Sequence, residues 1–184
     1  MPSHRVRSLK RKPPSRGRTY LRDGRAPIPA REATSEVMSA NRGRDTGPEI
    51  ALRRALWESG IRGFRLHVGG MPGRPDLAFA RAKVAVFIHG CFWHRCPHCR
   101  LPLPKTHTDW WRAKFEANQR RDKETARLLR EAGWQVLTLW ECEVKRSATS
   151  SASRVKELLN QVRQGQGLRV DAVPLTPRWP VWRP

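Results

Sequence analysis

The spacing of the four cysteines is the feature that most constrains the fold of this chain. Three of them, Cys91, Cys96 and Cys99, lie within nine residues, and the fourth is Cys142. Thiolates at such short spacing are typical ligands of a tetrahedral Zn²⁺ ion, and His98 could replace one of them. We predict a structural zinc site, without an open coordination position, that ties a loop to the sheet. Buried free cysteines are the alternative.

Apolar patterning around these cysteines predicts an α/β fold. A capping-box pattern, Thr46 followed by Glu49, begins a helix, and a long helical pattern over 109–132 ends at Gly133. The predicted strands and the last helix lie at 64–68, 77–80, 84–88, 134–140 and 151–163. This order predicts a mixed sheet flanked by helices, with a cysteine- and histidine-rich loop over 89–106 inserted at one edge.

The charge of the chain indicates a polyanionic partner. Its 184 residues include 37 Lys and Arg against 16 Asp and Glu, which gives a formal net charge of +21. A bias of the coding sequence towards arginine accounts for some of this excess, and nucleic-acid binding accounts for the rest. The sequence has neither an apolar run long enough for a membrane helix nor a secretory signal. We therefore predict a bacterial cytoplasmic, nucleoid-associated protein without a membrane partner.

The first 37 residues are basic and lack apolar periodicity, which predicts a separate segment. Residues 1–37 hold ten Lys and Arg against three acids and lack apolar periodicity. Such a segment buries too little apolar surface to offset its ordering entropy, so we predict a disordered basic arm. It either lies along a duplex or is a solvated extension. The folded domain is predicted at 38–164, and the Pro- and Trp-rich tail at 165–184 is predicted to be irregular.

Candidate catalytic residues lie on both sides of the predicted hairpin. Asp76 follows a Gly-Arg-Pro turn and opens a strand. Many nucleases place a metal-binding carboxylate there, although a turn cap is the alternative. His89 and His94 follow one strand later, and imidazole suits proton transfer near neutral pH. Asp122 lies on the apolar face of the long helix, where an unpaired charge is costly. We expect it to pair with one of the two histidines; an arginine is the alternative partner.

These motifs, in their order and spacing, resemble the very-short-patch repair (Vsr) endonucleases over roughly residues 38–145. The resemblance rests on Met-Ser-Ala-Asn-Arg-Gly-Arg-Asp-Thr-Gly-Pro-Glu at 38–49, Gly-Arg-Pro-Asp at 73–76, Phe-Ile-His-Gly-Cys-Phe-Trp-His at 87–94, Pro-Lys-Thr at 104–106, Trp-Trp at 110–111, Asn118, Arg-Asp at 121–122 and Trp-Glu-Cys at 140–142. It implies a restriction-endonuclease-like fold and a strand-specific, Mg²⁺-dependent nick 5′ to the T of a T·G mismatch, the product of 5-methylcytosine deamination. The implied enzyme is a monomer that acts on double-stranded DNA, with mismatch-repair accessory proteins as further partners.

The resemblance also implies which residues bind the metals. Mg²⁺ is bound by Asp76 and by the main-chain carbonyl of Ile88, and Glu49 lies near the active site. The second zinc ligand of the family is frequently histidine, whereas this chain has Cys96 and an extra residue before the next cysteine. The choice between Cys96 and His98 therefore stays open at this point.

The remaining implied roles are those of the proton-transfer residues. By the same resemblance, His94 is the general base, His89 assists at the phosphate, and Asp122 orients a histidine. A non-catalytic zinc-containing DNA-binding module would not need these residues. A restriction-type nuclease would share the fold, but it would cut both strands of a matched duplex.

Three aromatic residues are candidates for wedging between base pairs beside the mismatch. Intercalation must offset an unstacking cost of a few kcal/mol per step, and a wobble pair opens more easily than a matched pair. The alternative is that these side chains belong to the core. The candidates are Phe92, Trp93 and Trp111. Candidate phosphate contacts are Lys105, Arg112 and Lys114.

Overall fold

In the computed structural model of the chain, the described residues are 43–165. The predictions for the arm at 1–37 and for the tail beyond 165 lie outside this range. The elements are α1 (Gly47–Glu58), β1 (Arg65–Leu66), β2 (Leu77–Phe79), β3 (Val84–His89), α2 (Thr108–Glu131), β4 (Gln135–Trp140), α3 (Glu141–Arg146) and α4 (Ala148–Arg163). Among the described residues, no helix has the length and apolar character that crossing a bilayer requires.

The four strands form one mixed sheet in the order β1-β2-β3-β4. The pairs β1–β2 and β2–β3 are antiparallel, and the turn between β2 and β3 is a short 3₁₀ helix over Ala80–Ala82. β3 and β4 are parallel, with Val84 opposite Gln135. A parallel pair needs a long crossover, which α2 and the preceding loop supply. The predicted mixed sheet flanked by helices is therefore confirmed.

The sheet is covered on both faces by apolar side chains. On one face, β3 contributes Val84 and Val86 to a core shared with α1, α3 and α4. On the other face, Ala85 and Phe87 pack against Leu129 of α2. Since side chains alternate along a strand, His89 lies on the α2 face, and its ring centroid is 6.1 Å from that of Phe87. The sheet thus directs the last side chain of β3 towards α2.

The first helix begins where its sequence predicts, but its cap differs from the predicted one. Thr46 is the N-cap residue, yet its hydroxyl accepts no backbone hydrogen bond. It instead donates to Glu49 Oε1 at 2.8 Å, and Glu49 Oε2 accepts from the amide of Asp45 at 3.0 Å. The reciprocal capping box is therefore wrong in detail. The Glu49 carboxylate receives both hydrogen bonds and lies buried at the start of the helix.

Two other elements differ from the prediction. The first strand is two residues long because His67 has a φ of 45°, in the left-handed region, which ends the extended backbone. A short helix, α3, follows β4 directly and was not predicted. Its Glu143 carboxylate accepts a hydrogen bond from the amide of Trp140 at 2.9 Å. Helix α4 begins at Ala148, earlier than predicted, because Ser147 caps it by accepting from the amide of Ser150.

Candidate active site and cysteine cluster

Asp76 extends the pairing between β2 and β3 through its side chain. The strands pair only as far as Leu77 and Val86, and beyond this point Asp76 Oδ2 accepts a hydrogen bond from the amide of Ile88 at 2.7 Å. Burial raises the pKa of Asp76 to about 6, the Ile88 amide opposes this shift, and the charge of Glu49 adds to it. The carboxylate is therefore held at the end of β3, close to a second acid.

The turn before Asp76 packs directly against α2. Gly73 has a φ of 69°, and a Cβ atom at this position would lie 2.4 Å from Thr125 Cγ2 and 3.2 Å from the Phe87 ring. Only glycine combines this backbone conformation with such a close approach. The Gly-Arg-Pro-Asp motif thereby fixes Asp76 relative to the helix that carries Asp122.

The two histidines are stacked, and one of them is paired with Asp122. The ring centroids of His89 and His94 are 4.1 Å apart, with an interplanar angle of 14°. His94 Nδ1 lies 2.5 Å from Asp122 Oδ2. The neighbouring Arg121 donates instead to Asn118 Oδ1 at 3.0 Å. The expected histidine partner of Asp122 is therefore His94.

The electrostatics of this group define its protonation. Burial and the neighbouring His94 lower the pKa of His89 to about 4, so that its ring is neutral at neutral pH. Burial raises the pKa of Asp122, but the hydrogen bond and charge of His94 outweigh it, so the pKa lies below the ordinary value. The ionised carboxylate of Asp122 accepts a hydrogen bond from the Nδ1–H group of His94. The Nε2 atom of His94 then remains available for proton transfer.

Glu49 lies in a polar cluster that the sequence analysis did not anticipate. We call Asp45, Glu49, Arg53 and His67 the Arg53 cluster. Arg53 donates to Asp45 at 2.5 Å and to Glu49 at 2.9 Å, and its Nη2 atom lies 3.0 Å from His67 Nε2. The spacing of four residues between Glu49 and Arg53 on a helix is a signal for this ion pair. No local signal indicates His67, which joins the cluster from the position directly after β1.

The four cysteines converge as their spacing predicts. Their sulfur atoms all lie within 4.8 Å of one another, and Cys96 Sγ is 3.7 Å from Cys142 Sγ. This separation is too long for a disulfide, but it matches the edge of a tetrahedron with zinc–sulfur bonds of about 2.3 Å, which is about 3.8 Å. His98 is exposed and outside the group. The geometry therefore favours Cys96 over His98 as the fourth ligand of a metal ion.

The loop that carries the cysteines is anchored on two sides. Glu141 Oε2 of α3 accepts from the amide of Cys91 at 3.1 Å. On the α2 side, the buried Asn118 donates from Nδ2 to the carbonyl of Trp93 at 2.9 Å. His94 lies next to Trp93, so the second bond restrains the backbone beside the catalytic candidate.

The three candidate wedge residues form one aromatic cluster with Phe115. The centroid of Phe92 lies 5.2 Å from that of Trp93, 5.3 Å from that of Trp111 and 5.2 Å from that of Phe115. Phe115 is buried, whereas the three candidates are half-buried. The three rings pack against one another, and part of each ring surface remains exposed to solvent. Of the candidate phosphate contacts, Lys105 and Arg112 are exposed and Lys114 is half-buried.

Carboxylate and imidazole groups gathered at the end of β3, on a strongly basic chain, define a nucleic-acid hydrolase. A profile of the family described as DNA mismatch endonuclease Vsr matches residues 28–100. The chain is 36% identical over 134 residues to the DNA mismatch endonuclease Vsr of Escherichia coli strain K12, which covers 72% of this chain and 85% of that protein. The chain therefore belongs to the Vsr family and is a DNA endonuclease.

Other similar proteins are nicking enzymes. The chain is 43% identical over 134 residues to the Type II nicking enzyme V.NaeI of Lentzea aerocolonigenes, with 70% of this chain and 79% of the relative covered. It is 42% identical over 109 residues to the Type II nicking enzyme V.XorIIP of Xanthomonas oryzae pv. oryzae, with 59% and 79% covered. The similarity includes proteins named for single-strand cleavage as well as for mismatch recognition.

Proposed function

We propose that this endonuclease nicks one strand of double-stranded DNA 5′ to the T of a T·G mismatch by Mg²⁺-dependent hydrolysis. The observation that carries the proposal is the His94–Asp122 pair, stacked on His89 at the end of the strand whose Ile88 amide holds Asp76. The names of the relatives support mismatch recognition and nicking. We also propose that the fold is restriction-endonuclease-like and that the enzyme acts as a monomer, with mismatch-repair accessory proteins as further partners.

The residues at the end of β3 fit a magnesium ion. Mg²⁺ prefers oxygen ligands, which the Asp76 carboxylate and the main-chain carbonyl of Ile88 would supply. Burial and the charge of Glu49 disfavour the ionised form of Asp76, and a cation at this position would offset both effects. When bound, Mg²⁺ would polarise the scissile phosphate and stabilise the charge that develops on it.

The histidines supply proton transfer at this site. His94 accepts a proton from the attacking water at Nε2, since its Nδ1 atom is engaged by Asp122. Asp122 holds the ring in this tautomer and stabilises the imidazolium that forms. His89 is neutral and contacts the phosphate as a hydrogen-bonding group, while its ring supports His94 by stacking.

The cysteine cluster has a structural role in this proposal. Four thiolates would complete a tetrahedral Zn²⁺ site and would leave no position for water or substrate. The site joins the loop at Cys91, Cys96 and Cys99 to the start of α3 at Cys142. Since His94 lies within this loop, a bound ion would restrain the position of the general base and would take no part in the reaction.

The aromatic cluster provides a basis for mismatch selection. Inserted side chains of Phe92, Trp93 and Trp111 would replace base stacking, and the buried Phe115 packs against Phe92 and Trp111. Opening a base step costs a few kcal/mol, and this cost is lower at a wobble pair. A T·G pair is therefore entered more readily than a T·A pair.

A DNA cleavage assay on two duplexes tests the proposal directly. The protein is incubated with Mg²⁺ and duplexes that differ only in having T·G or T·A at one position, with each strand labelled separately. We expect a nick in the T strand of the T·G duplex alone. Cleavage of both strands of the T·A duplex would indicate a restriction-type nuclease, and binding without cleavage would indicate a DNA-binding module.

A further inference from the structure

The guanidinium of Arg53 connects three groups next to the proposed magnesium site. The Nη1 atom of Arg53 donates to Asp45, and its Nη2 atom is shared between Glu49 Oε2 and His67 Nε2. The side chains of Arg53 and His67 are each 16% exposed, and that of Glu49 is 7% exposed. A bidentate, largely buried guanidinium restricts its partners far more than an exposed ion pair does.

The Arg53 cluster reaches Asp76 by two routes. The amide of His67 donates to the carbonyl of Asp76 at 3.5 Å, so the backbone that follows β1 borders the candidate metal ligand. The charge of Glu49 raises the pKa of Asp76, while His67 and Arg53 lower it. The cluster is therefore close enough to set both the backbone position and the electrostatic environment of Asp76.

The cluster is not itself a cation site. Asp45, Glu49 and His67 offer ligand atoms within 4.8 Å of one another, but the Arg53 guanidinium already bonds to all three. A second cation there would have to displace the first. Arg53 instead bonds to both carboxylates and places its Nη2 atom 3.0 Å from His67 Nε2.

We infer that Arg53 is a positioning residue for the nicking reaction, which fixes the Glu49 carboxylate and the His67 ring beside Asp76. This inference rests on the proposed function. Without the guanidinium, the buried Glu49 carboxylate would lose its charge partner, and His67, whose backbone is left-handed, would lose a side-chain contact. The position of Asp76 relative to Ile88 would loosen, and small displacements of a catalytic group have large effects on rate.

The test compares the rate of nicking with the affinity for DNA. The wild-type protein is first assayed on duplexes bearing each mismatch, and the duplex that it nicks is used for all variants. We expect Arg53→Met to lower the single-turnover rate at saturating enzyme by about tenfold or more, while its dissociation constant for the same duplex changes by less than about threefold. Arg53→Lys, which keeps the charge but loses the planar fork, should fall between Arg53→Met and wild type.

Two further comparisons separate positioning from general stability. Arg54→Met removes the same charge from an exposed neighbour on α1 and should change the rate by less than about twofold. At the other end of the contact, His67→Gln keeps an acceptor for Arg53 and should retain most of the rate, whereas His67→Leu should not. Thermal unfolding of each variant shows whether it is folded at the assay temperature.

The outcomes distinguish failure of the inference about Arg53 from failure of the proposed function. An Arg53→Met variant that is folded and nicks as fast as Arg54→Met would overturn the inference, as would equal rates for the two His67 variants. If Arg53→Met does not fold, Arg53→Lys and the His67 pair give the same decision. A wild-type protein that nicks a mismatch other than T·G refutes only the proposed specificity.

Discussion

The two halves of the candidate site are held by different means. The carboxylate half, with Asp76 and the Arg53 cluster, is built on α1 and the strands, and hydrogen bonds within the cluster join residues 4 to 14 positions apart. The imidazole half, with His89, His94 and Asp122, depends on a loop. The contacts of this loop with α3, including those with Cys142, join residues 46 to 51 positions apart. Regular elements fix the first half; a loop without a strand partner needs a clamp from a distant part of the chain.

The difference shows why this chain combines a cysteine cluster with a buried ion-pair cluster. A loop carries few backbone hydrogen bonds, so its conformational entropy must be restrained by metal ligands or side-chain contacts. A strand end is already restrained, and there the difficulty is the desolvation of acids, which Arg53 relieves. The following predictions test each half in turn.

The largest effect is expected from removing the carboxylate at the end of β3. Asp76→Ala should lower the nicking rate by about 10³-fold or more, because the Mg²⁺ ligand is lost, while DNA binding is retained. Single-turnover nicking and a gel-shift titration measure the two quantities. Glu116→Ala, at an exposed acid of α2, is the matched control. Nicking by Asp76→Ala at the wild-type rate would remove Asp76 from the metal site.

A smaller effect is expected in the imidazole half. Asp122→Asn should lower the nicking rate by about 10²-fold, since an amide neither selects the tautomer of His94 nor stabilises its protonated form. Asp109→Asn, at a fully exposed acid near the start of the same helix, should have almost no effect. Equal rates for the two variants would show that the pairing with His94 is purely structural.

The buried carboxylate of Asp76 should lower the stability of the folded protein when no divalent cation is present. Its pKa is raised from 3.8 to about 6, so the folded state binds this proton more tightly than the unfolded state. Stability contributed by the protonated form is complete below about pH 4 and is lost as the pH rises through 6. Asp76→Asn should therefore be more stable than wild type by about 3 kcal/mol at pH 7.5, with almost no gain at pH 4.

Urea denaturation at both pH values, in buffer without added Mg²⁺, measures this difference. Because Asn retains an oxygen that accepts from the Ile88 amide, the comparison isolates the charge. A variant that is less stable than wild type at pH 7.5 would contradict the raised pKa of Asp76.

The smallest effect is expected at His98. This residue is exposed and outside the cysteine group, so His98→Ala should change neither the zinc content nor the nicking rate by more than about twofold. Cys96→Ala serves as the positive control and should lose zinc and most nicking together. Metal analysis of the purified proteins gives the zinc content. Loss of zinc from the His98 variant, with zinc retained by the Cys96 variant, would identify His98 and not Cys96 as the zinc ligand.

Several features could be read from the sequence because their signals are local. The long helix α2 shows its apolar face directly, and Gly133 marks its end. Cysteine spacing predicts the cluster because short loops bring thiols together at little entropic cost. The family motifs gave the candidate residues, but their roles stay predictions until the variants are assayed.

What the sequence by itself determined is the main helices and strands, the mixed sheet and the presence of a cysteine cluster, whereas α3 and the choice between Cys96 and His98 came from the tertiary structure. Only the tertiary structure decided that Asp122 contacts His94, that Asp76 bonds to the Ile88 amide, and that Arg53 joins Glu49 to His67. The physical reason is range. Helix and strand patterns reflect neighbours within a few positions, whereas a side-chain pair across the fold depends on strand register, turn conformation and the approach of α2 at Gly73.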